Sequence, residues 1–186
     1  MGKSLSTEIE KLEAEVLSCT KCDLHRSRTQ AVFSRGTSFN PEVLFIGEAP
    51  GFEEDVQGKP FVGRSGKLLD RWIEYLNLDS CVITNVVKCR PPENRTPTRE
   101  EIETCRPYLL RQLTIYKPKL MVLLGRVAVN SMLGLGNQRM GSMLGRCFET
   151  EYGRATVLYH PSYCLRYNVD VKQYLDKVKE LAAEKL

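Results

Sequence analysis

Four of the seven cysteines in this 186-residue chain are spaced as metal ligands would be: a close pair, Cys19 and Cys22, answered much later by Cys89 and Cys105. A thiolate is a soft metal ligand, and a C-x-x-C with two distant partners reads as a site that staples the N-terminal segment to the body of the fold. Zinc accepts four thiolates, but its fingers and ribbons usually place two ligand pairs a few tens of residues apart in small modules. The gap from Cys22 to Cys89 spans half a domain, which also suits a four-iron, four-sulfur cluster. Spacing alone leaves zinc and iron–sulfur open. Cys81, Cys147 and Cys164 lie in or beside apolar segments with no partner at ligand spacing, so they are expected to be buried structural thiols.

Other groups able to do chemistry are few. The chain has two histidines. His25 follows the C-x-x-C in a Lys/Arg-rich turn and is expected at the surface. His160 ends an apolar run and precedes Pro161 and Ser162, a place where open α/β sheets gather their active sites. Asn85 interrupts the apolar run 81–87, and burying an amide without partners costs on the order of 1 to 3 kcal/mol, so backbone or ligand must satisfy it. Such an amide matches a donor–acceptor edge like the Watson–Crick edge of a base. Phe61, between Pro60 and Gly63, is either core or a platform for stacking.

The elements that must position these residues follow from periodicity. Ile9, Leu12 and Val16 predict a short amphipathic helix over 7–18, behind a Thr7-x-x-Glu10 capping box, that delivers Cys19 and Cys22. The run 43–46 has no alternation, which predicts a strand buried on both faces that stops at Gly47-Glu48-Ala49-Pro50-Gly51. Leu68, Leu69, Trp72, Ile73 and Leu76 form a helical core stripe. A second buried strand covers 81–87, and Thr98-x-x-Glu101 caps a helix carrying Ile102, Cys105, Tyr108 and Leu109 on one face. Further strands at 120–124 and 156–159, a helix near 126–133 and a closing amphipathic helix over 171–181 complete the alternation. This pattern predicts an α/β chain, a three-layer α/β/α sandwich around a central, mostly parallel four-stranded sheet, as one domain over 1–186.

Composition bounds the setting. Hydrophobic residues make up 42% of the chain, enough for one real core. No apolar stretch approaches the roughly 20 residues needed to cross a bilayer, so a soluble, intracellular, cytoplasmic protein without membrane contact is expected. The net charge is +4, with arginines bunched at Arg26, Arg28 and Arg35 and at Arg90, Arg95, Arg99 and Arg106. On charge alone this fits either a nucleic-acid partner or a solvated, mildly basic surface.

Four ordered segments carry a resemblance: Gly47-Glu48-Ala49-Pro50-Gly51; Gly58-Lys59-Pro60-Phe61-Val62-Gly63; 83–92, reading Ile-Thr-Asn-Val-Val-Lys-Cys-Arg-Pro-Pro; and His160-Pro161-Ser162-Tyr163. Together they resemble the family 4 uracil-DNA glycosylases, the iron–sulfur branch of the uracil-DNA glycosylase superfamily, over roughly 19–166. The resemblance implies a four-iron, four-sulfur ([4Fe-4S]) cluster on Cys19, Cys22, Cys89 and Cys105, structural in role. It implies that the enzyme hydrolyses the N-glycosidic bond of uracil in single- or double-stranded DNA, leaving an abasic site for base excision repair. His160 would donate to uracil O2, Asn85 would pair with N3–H and O4, and Phe61 would stack on the flipped base. Glu48 and the Ala49 backbone fall where the superfamily positions its water, and Glu54 resembles the residue that crowds uracil C5, against a plainer reading of 53–55 as a solvated acidic turn. Arg64, Ser65, Ser162 and Arg166 are the expected DNA contacts, while Arg90, Arg95 and Arg99 are either DNA contacts or surface beside the cluster. A monomer is expected, with a sliding clamp or repair protein as the partner class to test. Two alternatives remain. One is a relative that bonds covalently to DNA through a histidine, which 92–97 lacks. The other is a non-catalytic iron–sulfur module that binds DNA or assists a polymerase.

Overall fold

The computed structural model describes residues 2–36 and 39–184. In chain order the helices are α1 (Gly2–Leu17), α2 (Leu24–Ser27), α3 (Phe52–Gln57), α4 (Arg64–Leu76), α5 (Arg99–Tyr116), α6 (Arg126–Leu133), α7 (Pro161–Tyr167) and α8 (Lys172–Ala183). The strands are β1 (Ser34–Arg35), β2 (Val43–Gly47), β3 (Cys81–Asn85), β4 (Leu120–Leu124), β5 (Cys147–Thr150) and β6 (Gly153–Leu158). They form one sheet in the order β1-β3-β2-β4-β6-β5. The four inner strands β3, β2, β4 and β6 are parallel, and β1 and β5 pair antiparallel at the two edges.

The expected α/β/α sandwich is therefore present, but its sheet has six strands rather than four. β1 is two residues long, too short for any periodicity to declare it, and β5 is half of a hairpin with β6 whose side chains alternate between exposed and half-buried. That edge position also corrects the expectation for Cys147, which points outward and is exposed. Cys164 is buried as expected and Cys81 is half-buried.

The continuous apolar runs follow from burial on both faces. Leu44 and Ile46 of β2, with Met121 and Leu123 of β4, pack on the side of α1, α5 and α6. Val43, Phe45, Leu120, Val122 and Leu124 pack on the opposite side, against Leu69, Trp72 and Leu76 of α4 and Leu175 and Val178 of α8. Each face is hydrophobic, so alternation disappears from the sequence.

Two boundaries differ from expectation. α1 begins at Gly2, not Thr7, because no helix breaker separates the two; Thr7 lies inside the helix instead of capping it. β3 ends at Asn85, with Val86 and Val87 bending away while their N–H groups still donate to the Gly47 and Glu48 carbonyls (2.9 and 3.0 Å). The capping box on α5 does form: Thr98 Oγ1 accepts from Glu101 N–H at 3.2 Å and a Glu101 carboxylate oxygen accepts from Thr98 N–H at 2.8 Å. Such a cap contributes about 1 kcal/mol and fixes the start of the helix that carries Cys105.

Candidate active site and cysteine cavity

The parallel strands leave their carboxyl ends on one edge, and β3 and β4 run to opposite sides of β2, which opens a crevice at that switch point. A wide cleft occupies it. Asn85 is in register with Gly47 at the ends of β3 and β2, and His160 follows β6. Glu48, Ala49, Glu54, Phe61, Arg64, Ser65, Asn85, His160, Ser162 and Arg166 all line the cleft, so the expected residues from four separate segments meet in one place.

Phe61 lies on the floor of the cleft, 5% exposed, with φ 55°, a left-handed conformation that costs a bulky residue on the order of 1 kcal/mol. The loop is clasped from both sides to hold it. Arg35 donates to the carbonyls of Pro60 (2.9 Å) and Phe61 (3.1 Å) and is itself paired with Asp70 at 2.6 Å. Glu54 accepts from the N–H groups of Gly51 (3.0 Å), Val62 (2.9 Å) and Gly63 (2.8 Å). Both oxygens of Glu54 are thus committed to backbone amides. Asp55, 3% exposed, accepts from Thr29 N–H at 2.9 Å, so the acidic run is a helix that braces two loops and not a solvated turn.

Two glycines allow this packing. A Cβ on Gly47 would lie 2.4 Å from the Phe61 ring and 2.5 Å from Asn85 Oδ1, and one on Gly66 would lie 1.8 Å from the Phe61 carbonyl oxygen. Phe61 in turn faces His160, with ring centroids 5.6 Å apart. The ring of His160 caps α7: Ser162 N–H donates to Nδ1 at 3.1 Å, and the Ser162 hydroxyl lies 2.7 Å away. An Nδ1 that accepts a backbone N–H carries no proton, so the neutral ring holds its hydrogen on Nε2. Burial pushes the His160 pKa down from 6.5 to about 4, which keeps the ring neutral at physiological pH.

Asn85 is 2% exposed, and its Oδ1 has no hydrogen-bond partner among the described residues. An amide oxygen buried without a partner is costly unless something else supplies a donor. Burial also raises the pKa of the Glu48 carboxyl. Of the three arginines left open, Arg95 lines the cleft while bound to Glu101 through two contacts of 2.7 and 3.0 Å; Arg90 bonds Asn94 and lies over the Phe52 ring, and Arg99 pairs with Glu103. Phe52, 54% exposed and in the cleft wall, was not singled out by sequence because its neighbours give it no periodicity.

Behind β3 lies a second, much narrower cavity. Cys19, Cys22, Cys89 and Cys105 all line it, brought from the end of α1, the turn before α2, the segment after β3 and the middle of α5. His25, expected at the surface, is half-buried at its rim with Nδ1 2.7 Å from the Cys22 carbonyl oxygen. Arg28 donates to Cys89 Sγ at 3.1 Å, and Lys88 N–H donates to Cys105 Sγ at 3.3 Å. Burial pushes the Cys89 and Cys105 thiols up, Cys105 to about 11. Among the described residues no three His, Cys, Asp or Glu side chains are drawn together tightly enough to hold a single metal ion.

The family model of the uracil DNA glycosylase superfamily matches residues 33–183. The chain belongs to that superfamily. A type-4 uracil-DNA glycosylase of Sulfurisphaera tokodaii is 43% identical over 188 residues, covering 94% of this chain and 84% of that protein. One from Archaeoglobus fulgidus is 39% identical over 193 residues, covering 95% and 94%. A type-5 uracil-DNA glycosylase of Pyrobaculum aerophilum matches more narrowly, 38% identical over 84 residues, or 44% of this chain. The superfamily match runs from just before β1 to the last turn of α8, so it includes every segment that lines the cleft; Cys19 and Cys22 fall outside it and inside the reach of the longer type-4 alignments. Among the described residues no helix is long and apolar enough to cross a membrane.

Proposed function

We propose that this chain is a uracil-DNA glycosylase that hydrolyses the bond between uracil and deoxyribose in DNA. The observation that carries the assignment of its residues is the buried Asn85 Oδ1 without a partner, beside a Phe61 ring and a neutral His160. Uracil N3–H donates where that oxygen accepts, and the Asn85 amide N–H₂ donates to uracil O4. Cytosine offers an unprotonated N3 and a donating N4 amine, so both contacts reverse sign and the amide rejects it. The base reaches this depth only after rotating out of the stack, and Phe61 supplies the face it lies against.

Bond cleavage places negative charge on the departing uracil and positive charge on the sugar. His160, with its hydrogen on Nε2, donates to O2 and stabilises that negative charge without transferring a proton in advance. Glu48, whose proton affinity is raised by burial, orients the attacking water as a carboxylate and opposes the positive sugar. α4 opens onto the cleft at Arg64 and Ser65, and its first N–H groups together with Arg64, Ser162 and Arg166 suit the phosphates flanking the extruded nucleotide. Glu54 shapes the wall near uracil C5 through the loop it braces.

The four cysteines form a soft donor set lining one cavity, and they would hold a four-iron, four-sulfur cluster. Such a cluster would supply a cross-link among α1, the β3 exit and α5, with Arg28 offsetting its negative charge. The protein acts on DNA inside the cell and as a monomer in this reading. Incubation with an oligonucleotide carrying one uracil should yield abasic sites; none would refute the reading, and a protein–DNA adduct surviving denaturant would favour the covalent alternative.

A further inference from the structure

Lys88 is buried, 1% exposed, and among the described residues no carboxylate pairs with it. Its ammonium donates instead to Thr84 Oγ1 at 2.7 Å, to the Asn85 carbonyl at 2.6 Å and to Gln112 Oε1 at 2.5 Å. Thr84 passes its own hydrogen to the Phe33 carbonyl at 2.7 Å, so it too acts as an acceptor toward the lysine. Three acceptors round one nitrogen use all three ammonium hydrogens. Desolvating an ammonium costs several kcal/mol, and an apolar side chain of similar length would fill the space without that cost. Burial pushes the Lys88 pKa down to about 7, against which the three acceptors hold the ammonium form, and the short contact with the main chain of Asn85 shows what that form grips. The anchor is rigid: Gln112 sits in the middle of α5, and Lys88 itself is pinned between Val32 N–H (2.7 Å to its carbonyl) and Cys105 Sγ.

We propose that Lys88 is a positioning residue for base recognition, gripping the Asn85 carbonyl from behind β3 so that the Asn85 amide is held at one angle in the cleft. The proposal rests on the reading of Asn85 as the group that contacts uracil. Asn85 ends its strand, where the ladder no longer restrains it on both sides, and a charge-assisted hydrogen bond to its carbonyl replaces that restraint.

Lys88→Met is the test, with four readouts: kcat on uracil-containing DNA, inhibition by free uracil, affinity for uracil-free DNA, and visible absorbance with iron content as a check on the cysteine site. The expected result is a kcat lower by about tenfold, weaker inhibition by free uracil by a similar factor, and DNA affinity and absorbance close to wild type. Combined with Asn85→Ala, it should slow excision no further, because both changes remove the same contact. A kcat within twofold of wild type, an undiminished factor in the Asn85→Ala background, or loss of absorbance together with activity would each overturn the proposal. If Lys88→Met does not accumulate as folded protein, Gln112→Leu removes one anchor and should give the same paired loss at smaller scale; unchanged values would overturn it. Wild-type protein inactive on uracil would defeat the glycosylase reading itself, whereas active wild type with an unaffected Lys88→Met defeats only this proposal.

Discussion

The cysteine cavity and the cleft are joined by five residues, 85–89, yet their polar groups are in opposite conditions. In the cavity two of the four sulfurs accept hydrogen bonds: Arg28 bonds Cys89, and Lys88 N–H bonds Cys105. In the cleft Asn85 Oδ1 has none among the described residues, Phe61 is held in a strained conformation, and His160 is kept neutral against its ordinary value. The first region is narrow and gathers soft donors that would be tied together by a cluster, as a scaffold should be; the second is wide and offers an unpaired amide, a stacking face and a neutral imidazole, as a site for a base should. The difference separates what holds the strand end from what the strand end does.

The largest way to break that division is Cys89→Ser. It should cost folded protein and visible absorbance together, measured by soluble yield, iron content and an optical spectrum; full absorbance with normal melting would remove Cys89 from the scaffold. A smaller effect is expected within the cleft. Glu48→Gln should lower excision by about tenfold at neutral pH, and the acid limb of the rate profile, where Glu48 takes up its proton, should flatten in the variant. Because His160 titrates at about 4 in the folded chain and at 6.5 when unfolded, no inflection should appear near 6.5 in the wild-type rate. The sign for stability follows: between those values the unfolded chain binds the extra proton, so this contribution is full above 6.5 and is lost as pH falls toward 4. The smallest effect is at the rim, where Arg166→Ala should weaken DNA affinity a few-fold and reduce the salt slope by about 1, with the excision rate of bound DNA nearly unchanged.

Much of the cleft was legible because its residues sit in short motifs at strand ends, and a strand buried on both faces announces its end clearly. The run 43–46 and the amide at 85 are the best cases. What stayed hidden was what depends on distant partners. Nothing near Arg35 in sequence says that it holds Pro60 and Phe61, and Glu54 could be placed near the site without revealing that its oxygens are spent on three backbone amides. Lys88 reads as an ordinary motif lysine until Gln112, from another element, is set beside it. The edge strands were missed for a related reason: β1 and β5 owe their form to pairing with β3 and β6, not to a pattern of their own.

The division between scaffold and site is tested most directly by Asn85→Ala, with the single-turnover excision rate and the affinity for uracil-free DNA measured on the same preparation. The rate should fall by about 10²-fold or more with affinity and visible absorbance unchanged. Equal loss of rate and affinity, or an undiminished rate, would contradict that division.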